Sequence, residues 1–193
     1  MGPTTPLSTK DDGALMGRVA ARDRAAFETL YYRYAPRIAS FARRLLNQPE
    51  LIDEVINDTL LIVWQRAQDF DPSKCFSTWL FGIAHHKALH VLEHCTHHTR
   101  TSLLRITPET EEHEVPSEAD TPEEALLHED LQRTVQSALD SLSPEHRAVV
   151  DLTYYHGFSG AEIAEITACP VTTIKTRMFH SLKRLAEVLP ADI

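Results

Sequence analysis

Between Ser159 and Arg184 the chain reads SGAEIAEITACPVTTIKTRMFHSLKR: a short apolar helix pattern, a break, and a second helical pattern loaded with cations. From Ala168 to Leu185 there are four Lys or Arg (Lys175, Arg177, Lys183 and Arg184) and no carboxylate. A helix of locally positive potential that also carries Thr172, Thr173, Thr176, Phe179 and His180 can hold phosphates and reach base edges in a major groove. Ser159 is placed to cap the first helix, in which Ile163 and Ile166 flank Ala164. Ala168-Cys169-Pro170 breaks the pattern and Val171 opens the second run. Ile174, Met178, Leu182 and Leu185 are spaced to point inward, with Thr173, Lys175, Thr176, Arg177 and His180 largely outward. The pattern predicts a helix-turn-helix with DNA as partner. Because such patterns are short and degenerate, a helical hairpin with a solvated basic face is the alternative.

A second set of chemistry-bearing residues is His86, His90, His94 and His98, which recur every fourth residue and stack along one face of a persistent helix. His pairs at that spacing can chelate a transition metal, although no carboxylate ligand shares the face. The metal reading, with His86, His90 and His94 as ligands, stands beside two others: polar groups turned to DNA, and incidental surface residues. Enzyme chemistry finds no support. His128-Glu129 is followed by Gln132 where a metalloprotease helix needs a second His, and there is neither a nucleotide-binding glycine loop nor a nucleophile elbow. Cys75, Cys95 and Cys169 form no CxxC and are read as reduced thiols. No cofactor is expected.

These residues need elements to hold them. The chain has 193 residues, 42% hydrophobic, enough for one large or two small cores. Its net charge of −9 is localised, since Thr101 to Asp130 holds ten carboxylates against Arg105 alone and the rest balances to zero. Acidity therefore describes one segment and leaves room for basic surfaces elsewhere. No apolar run reaches signal-peptide or membrane-spanning length, so a soluble, cytoplasmic protein without membrane insertion is expected. Residues 14–46 show a helical period, with Phe27, Leu30, Tyr31, Tyr34, Ile38, Phe41 and Leu45 on one face, and Pro36 predicts a kink or two shorter helices. Leu51 to Ala67 is a second amphipathic helix. A third runs from about Ser77 to His94, with Trp79, Leu80, Ile83, Leu89 and Leu92 as core candidates. The stretch from Thr101 to about Thr121 is too polar to order itself. Helical pattern resumes through Leu126, Leu127, Leu131, Val135, Ala138 and Leu139, then Ser143-Pro144-Glu145 starts the helix that carries Val149, Val150 and Leu152.

Taken together, AFETLYYRYAPRI, IDEVINDTLLIVWQRAQDFDPSKCFSTWLFGIAHHKAL and LDSLSPEHRAVVDLTYYHGFSGAEIAEITACPVTTIKTRM resemble, in order, the extracytoplasmic-function (ECF) sigma factors of bacterial RNA polymerase. The resemblance spans Leu15 to Leu189. It implies an all-α fold of two small helical domains: sigma domain 2 over residues 12–100, an acidic flexible linker over 101–124, and the helix-turn-helix sigma domain 4 over 125–190. It further implies a dissociable polymerase subunit that directs promoter-specific initiation, with core RNA polymerase, promoter DNA and an anti-sigma factor as partners. Domain 4 would read the minus-thirty-five element through Thr172, Thr173, Lys175, Thr176, Arg177, Phe179, His180, Lys183 and Arg184. Domain 2 would face polymerase through Asp53, Glu54, Asn57 and Asp58, for which a solvated helix face is the alternative. It would open the minus-ten element with Lys74, Phe76, Ser77, Trp79, His86 and His90, since an unstacked base can be held on an aromatic ring. A core role is the alternative for Trp79. Where the family usually carries an arginine cluster this chain has histidines, and Ala168 and Thr172 stand where glycines are frequent. A sigma mimic that sequesters an anti-sigma factor, or a helix-turn-helix regulator unconnected with sigma function, are the competing readings.

Overall fold

The computed structural model describes residues 9–46, 48–101 and 134–189, and every regular element among them is helical. In chain order they are α1 (Thr9–Ala20), α2 (Arg24–Leu45), α3 (Pro49–Gln65), a single 3-10 turn (Ala67–Asp69), α4 (Phe76–Thr101), helical residues 134–140 (α5), α6 (Pro144–Tyr154), α7 (Gly160–Ile166) and α8 (Val171–Val188). The acidic segment beyond Thr101, together with Leu126, Leu127 and Leu131, lies outside the described residues.

The first helical block is divided, but not at Pro36. α1 closes with Arg22 in the left-handed region at φ 67°, the Arg22 N–H donating to the Val19 carbonyl at 2.8 Å and the Asp23 N–H to the Arg18 carbonyl at 3.0 Å. This paired bonding satisfies the last carbonyls of a helix. Asp23 then caps α2, its Oδ1 accepting from the Ala25 and Ala26 N–H groups at 2.9 and 3.2 Å. Pro36 is accommodated inside the unbroken α2. It faces solvent, and the carbonyl it leaves without a helical donor belongs to Tyr32, itself 76% exposed, so water can supply the missing bond.

α2 is the centre of the fold. Its Leu30, Tyr34, Ile38, Phe41 and Leu45 are buried against α1, α3, α4 and α6. Tyr31, expected on this face, is turned toward solvent. Asp12 of α1 is buried beneath the stripe, where it accepts from the Tyr34 hydroxyl at 2.6 Å and pairs with Arg33. Burial, and then the bond to Asp12, push the Tyr34 phenol upward and keep it neutral. On α4, Leu80 is buried, while Trp79, Ile83, Leu89 and Leu92 are half-buried.

Phe76, expected to be available to DNA, is only 1% exposed. Its ring stands edge-on to Tyr34 and Phe70, with centroids at 5.2 and 5.8 Å, and Trp79 leans on Phe70 and Phe76 at 5.4 and 6.1 Å. Four rings from α2, α4 and the preceding loop thus pin the start of α4. Phe76→Ala should therefore cost about 3–5 kcal/mol of stability through the cavity it leaves, measured by urea unfolding of the full chain. A cost below about 1 kcal/mol would mean that the ring is not a core residue.

Candidate nucleic-acid interface

The first helix of the helix-turn-helix, α7, is fixed at both ends. The Ser159 Oγ accepts from the Glu162 N–H at 3.3 Å while the Glu162 carboxylate accepts from the Ser159 N–H at 2.8 Å, a reciprocal cap on α7. At its other end the Ala168 N–H donates to the Glu165 carbonyl at 3.3 Å and the Cys169 N–H to the Ala164 carbonyl at 3.0 Å. Ala168 takes φ 51°. The alanine therefore sits in the left-handed conformation for which glycine has no Cβ penalty.

α8 buries Ile174 and Ser181 and half-buries Met178 and Leu185. Leu182, expected to point inward, is 43% exposed because Ser181 takes the inner position, its Oγ donating to the Arg177 carbonyl at 2.8 Å. On the outer surface are Thr172, Lys175, Thr176, Phe179, His180, Lys183 and Arg184, with Thr173 half-buried. Phe179 is 65% exposed and stacks edge-on with His180, centroids 5.5 Å apart. Arg177 departs from this strip. It is half-buried, and its Nη1 approaches the Cys169 Sγ at 3.7 Å.

The residues proposed for the minus-ten element divide similarly. Lys74, His86 and His90 are exposed and Trp79 is half-buried, whereas Phe76 and Ser77 are buried by the packing at the start of α4. The Ser77 hydroxyl is engaged with the Cys75 thiol at 3.1 Å. His90 and His94 lie ring to ring, centroids 4.5 Å apart, but among the described residues no three His, Cys, Asp or Glu groups converge as a metal site would require. The side chain of His98 lies outside the described residues. On α3, Asp53, Glu54 and Asn57 are exposed, and Asp53 and Asn57 border a groove of about 300 Å³ with Tyr31, Tyr32, Pro36 and Ile56. Asp58 instead turns to α4 and pairs with Lys87 at 2.7 Å.

Sequence reasoning missed the seam between the two halves. α7 packs on α4 and α6 on α2, and one continuous core runs from Leu15 to Ile174. Arg44 of α2 pairs with Asp151 of α6 at 2.7 Å, and its guanidinium carbon lies 3.7 Å from the centre of the Tyr155 ring. His156 is enclosed by Phe41, Phe81 and Phe158, with its Nε2 3.2 Å from Asp151. His85 of α4 is also buried here. Burial first, then Arg177 and His86, push its imidazole down to about 4, with Glu145 opposing. A carboxylate at position 151 amid Val149, Val150 and Leu152 was the one local hint.

Comparison with known proteins supplies the context. The sigma-70 region 2 family matches residues 30–96 and the sigma-70 region 4 family matches residues 132–185. The ECF RNA polymerase sigma factor SigK of Mycolicibacterium vanbaalenii is 31% identical over 189 residues, covering 95% of this chain and 92% of its own. The chain belongs to the ECF sigma factors of RNA polymerase. The ECF RNA polymerase sigma-E factor of Haemophilus influenzae is 28% identical over 173 residues, covering 88% of this chain and 90% of that one. The structure of CnrH in complex with the cytosolic domain of CnrY is similar with a TM-score of 0.69 at 25% identity, covering 95% and 99% of the two chains. In this sigma factor region 2 therefore runs from α2 to α4, and region 4 takes in the helix-turn-helix. Among the described residues no helix is long and apolar enough to cross a membrane.

Two outcomes follow from this geometry. Ala168→Gly should stabilise the chain by about 1 kcal/mol, because the left-handed turn is kept and the Cβ strain removed; an unchanged urea midpoint would deny the strain. His85 has a folded-state value below its unfolded one, so the unfolded chain takes up the proton first and stability falls as pH drops from about 6.5 toward 4. Comparing unfolding free energies at pH 7 and pH 5 should show His85→Gln losing less than the wild type, with equal losses speaking against a neutral buried imidazole.

Proposed function

We propose that the exposed strip of α8, formed by Thr172, Lys175, Thr176, Phe179, His180, Lys183 and Arg184, reads the minus-thirty-five element of the promoters that this sigma factor serves. The observation that carries the reading is the concentration of cations and hydroxyls on one outward helix face, which follows a first helix, α7, capped at both ends. Thr173 borders the strip, and Arg177 joins it by swinging away from Cys169. The region-2 half, over residues 12–100, docks on core polymerase through the α2–α3 groove and its rim, with Asp53, Glu54 and Asn57 presented and Asp58 held against Lys87. It engages the minus-ten element with Lys74, Trp79, His86 and His90, while Phe76 and Ser77 hold the loop in place from beneath. The acidic segment 101–124 links this half to residues 125–190 and opposes phosphate contact until polymerase positions the two.

An anti-sigma protein controls the factor in this reading, supported by the likeness to CnrH, which was solved with the cytosolic domain of CnrY. The role needs no catalytic group, metal or cofactor of the chain's own, and it places the protein in the cytoplasm with the polymerase.

Run-off transcription with purified core polymerase, on the promoter upstream of the protein's own gene, tests the role; no sigma-dependent transcript would reject it. Lys175→Ala should weaken promoter binding by about 1–3 kcal/mol in a sequence-selective way where the lysine reaches a base edge, or uniformly with a shallower salt slope where it reaches phosphate. Unchanged affinity at every salt concentration would remove α8 as the reader.

A further inference from the structure

The histidine stripe of α4 carries chemistry that promoter reading does not use. His90 and His94 are both exposed, and their rings lie with centroids 4.5 Å apart and planes at 53°. His86, also exposed, stands one turn earlier on the same face, but among the described residues its ring meets no other. The element beneath the pair is already formed. α4 is helical from Phe76 to Thr101, and Ala88 and Val91, on either side of His90, are buried in the core. Two imidazoles are thus presented side by side on a backbone that a ligand need not order, which lowers the cost of binding.

The spacing of the rings selects the kind of ion. With a metal–nitrogen bond of about 2.1 Å, the centre of a coordinated imidazole lies about 3.2 Å from the metal, so rings 4.5 Å apart on one ion subtend about 90°. Cu2+ and Ni2+ take nitrogen donors at right angles, whereas Zn2+ favours the wider tetrahedral angle. Holding both imidazoles on one rigid helix makes the second bond intramolecular, so the pair binds more tightly than either ring alone. Among the described residues no third donor group converges on them, which leaves the other positions of the ion to water. Two ligands are fewer than a permanent site uses, and they suit one that loads and empties reversibly. We propose that His90 and His94 chelate a divalent transition-metal ion of the Cu2+ and Ni2+ class, and that the bound ion withdraws His90 from minus-ten DNA. The withdrawal rests on the proposed assignment of His90 to that element; the chelate does not.

Ni2+ is the probe, because the free thiols of Cys75 and Cys169 would reduce Cu2+. Isothermal titration of the full chain, without an affinity tag, should show Ni2+ binding more tightly than Zn2+. His90→Ala and His94→Ala should each weaken Ni2+ binding at least about tenfold, because each leaves a single imidazole of the pair, while His86→Ala leaves the affinity unchanged. Far-UV circular dichroism confirms that these exposed substitutions keep the helices. Wild-type affinity in His94→Ala, an equal loss in His86→Ala, or tighter binding of Zn2+ overturns the chelate as described. Run-off transcription then tests the withdrawal. Saturating Ni2+ should cut the wild-type transcript several-fold and spare that of His94→Ala, which keeps His90 for DNA and should match the wild type when no nickel is added. Equal inhibition of both chains would place the ion's action on the polymerase and overturn the withdrawal. Binding at the pair with full wild-type transcription would overturn it too, along with the assignment of His90 to DNA, and leave the chelate standing. No transcript from any chain in the absence of nickel would instead sink the promoter role, and the titration alone would decide the chelate.

Discussion

The burial of Leu30, Tyr34, Ile38, Phe41 and Leu45 along one face of α2 gives α1, α3, α4 and α6 a common surface to lean on. Removing a fully packed aromatic from such a stripe costs several kcal/mol, a large share of the total stability of a small protein. Two carboxylates are admitted to this surface, each with a partner. Asp12 is taken in because Tyr34 and Arg33 satisfy it, and Asp151 because Arg44 stands opposite. The first joins neighbours in one half, whereas the second joins the halves. A single helix thus serves both as the core of region 2 and as the floor on which region 4 rests.

Much of this was legible in the residues themselves. Helical periodicity located the elements, Ser159 announced the start of α7, and the cation count on α8 pointed to nucleic acid. The misplacements share a cause: local pattern says which residues can be buried, not which neighbour takes up the space. Pro36 looked like a break, yet α2 passes through it because its face there is solvated, and the true boundary lay at Arg22 and Asp23, where a left-handed residue followed by a capping carboxylate ends one helix and begins the next. Leu182 yielded its inner position to Ser181, whose hydroxyl finds a carbonyl on its own helix. Phe76 resembled a DNA-facing ring, but Tyr34, 42 residues earlier, claims it.

The candidate site was legible in part for the same reason. Lys175, Thr176, His180 and Lys183 needed only the helical wheel to be placed outward. Arg177 lies on the same helix and differs because of Cys169 beneath it and the seam beyond. The histidine repeat on α4 was plain in sequence, but it conceals a division: His86 and His90 are exposed, while His85, one residue from the stripe, is buried beside Phe41. No spacing rule separates an imidazole in solvent from one excluded from it when the two are adjacent.

Pro36 also shapes the surface beside it. Lacking an N–H, it cannot answer the carbonyl of Tyr32 one turn earlier, and both residues line the groove between α2 and α3, whose other walls are largely aromatic and aliphatic. Beside the groove there is therefore a directional acceptor that the helix itself never satisfies, fixed in place by rigid backbone. An apolar cleft alone lets a docking helix slide along its length. One backbone oxygen at a set height gives such a partner a register, since only one alignment brings a donor to it.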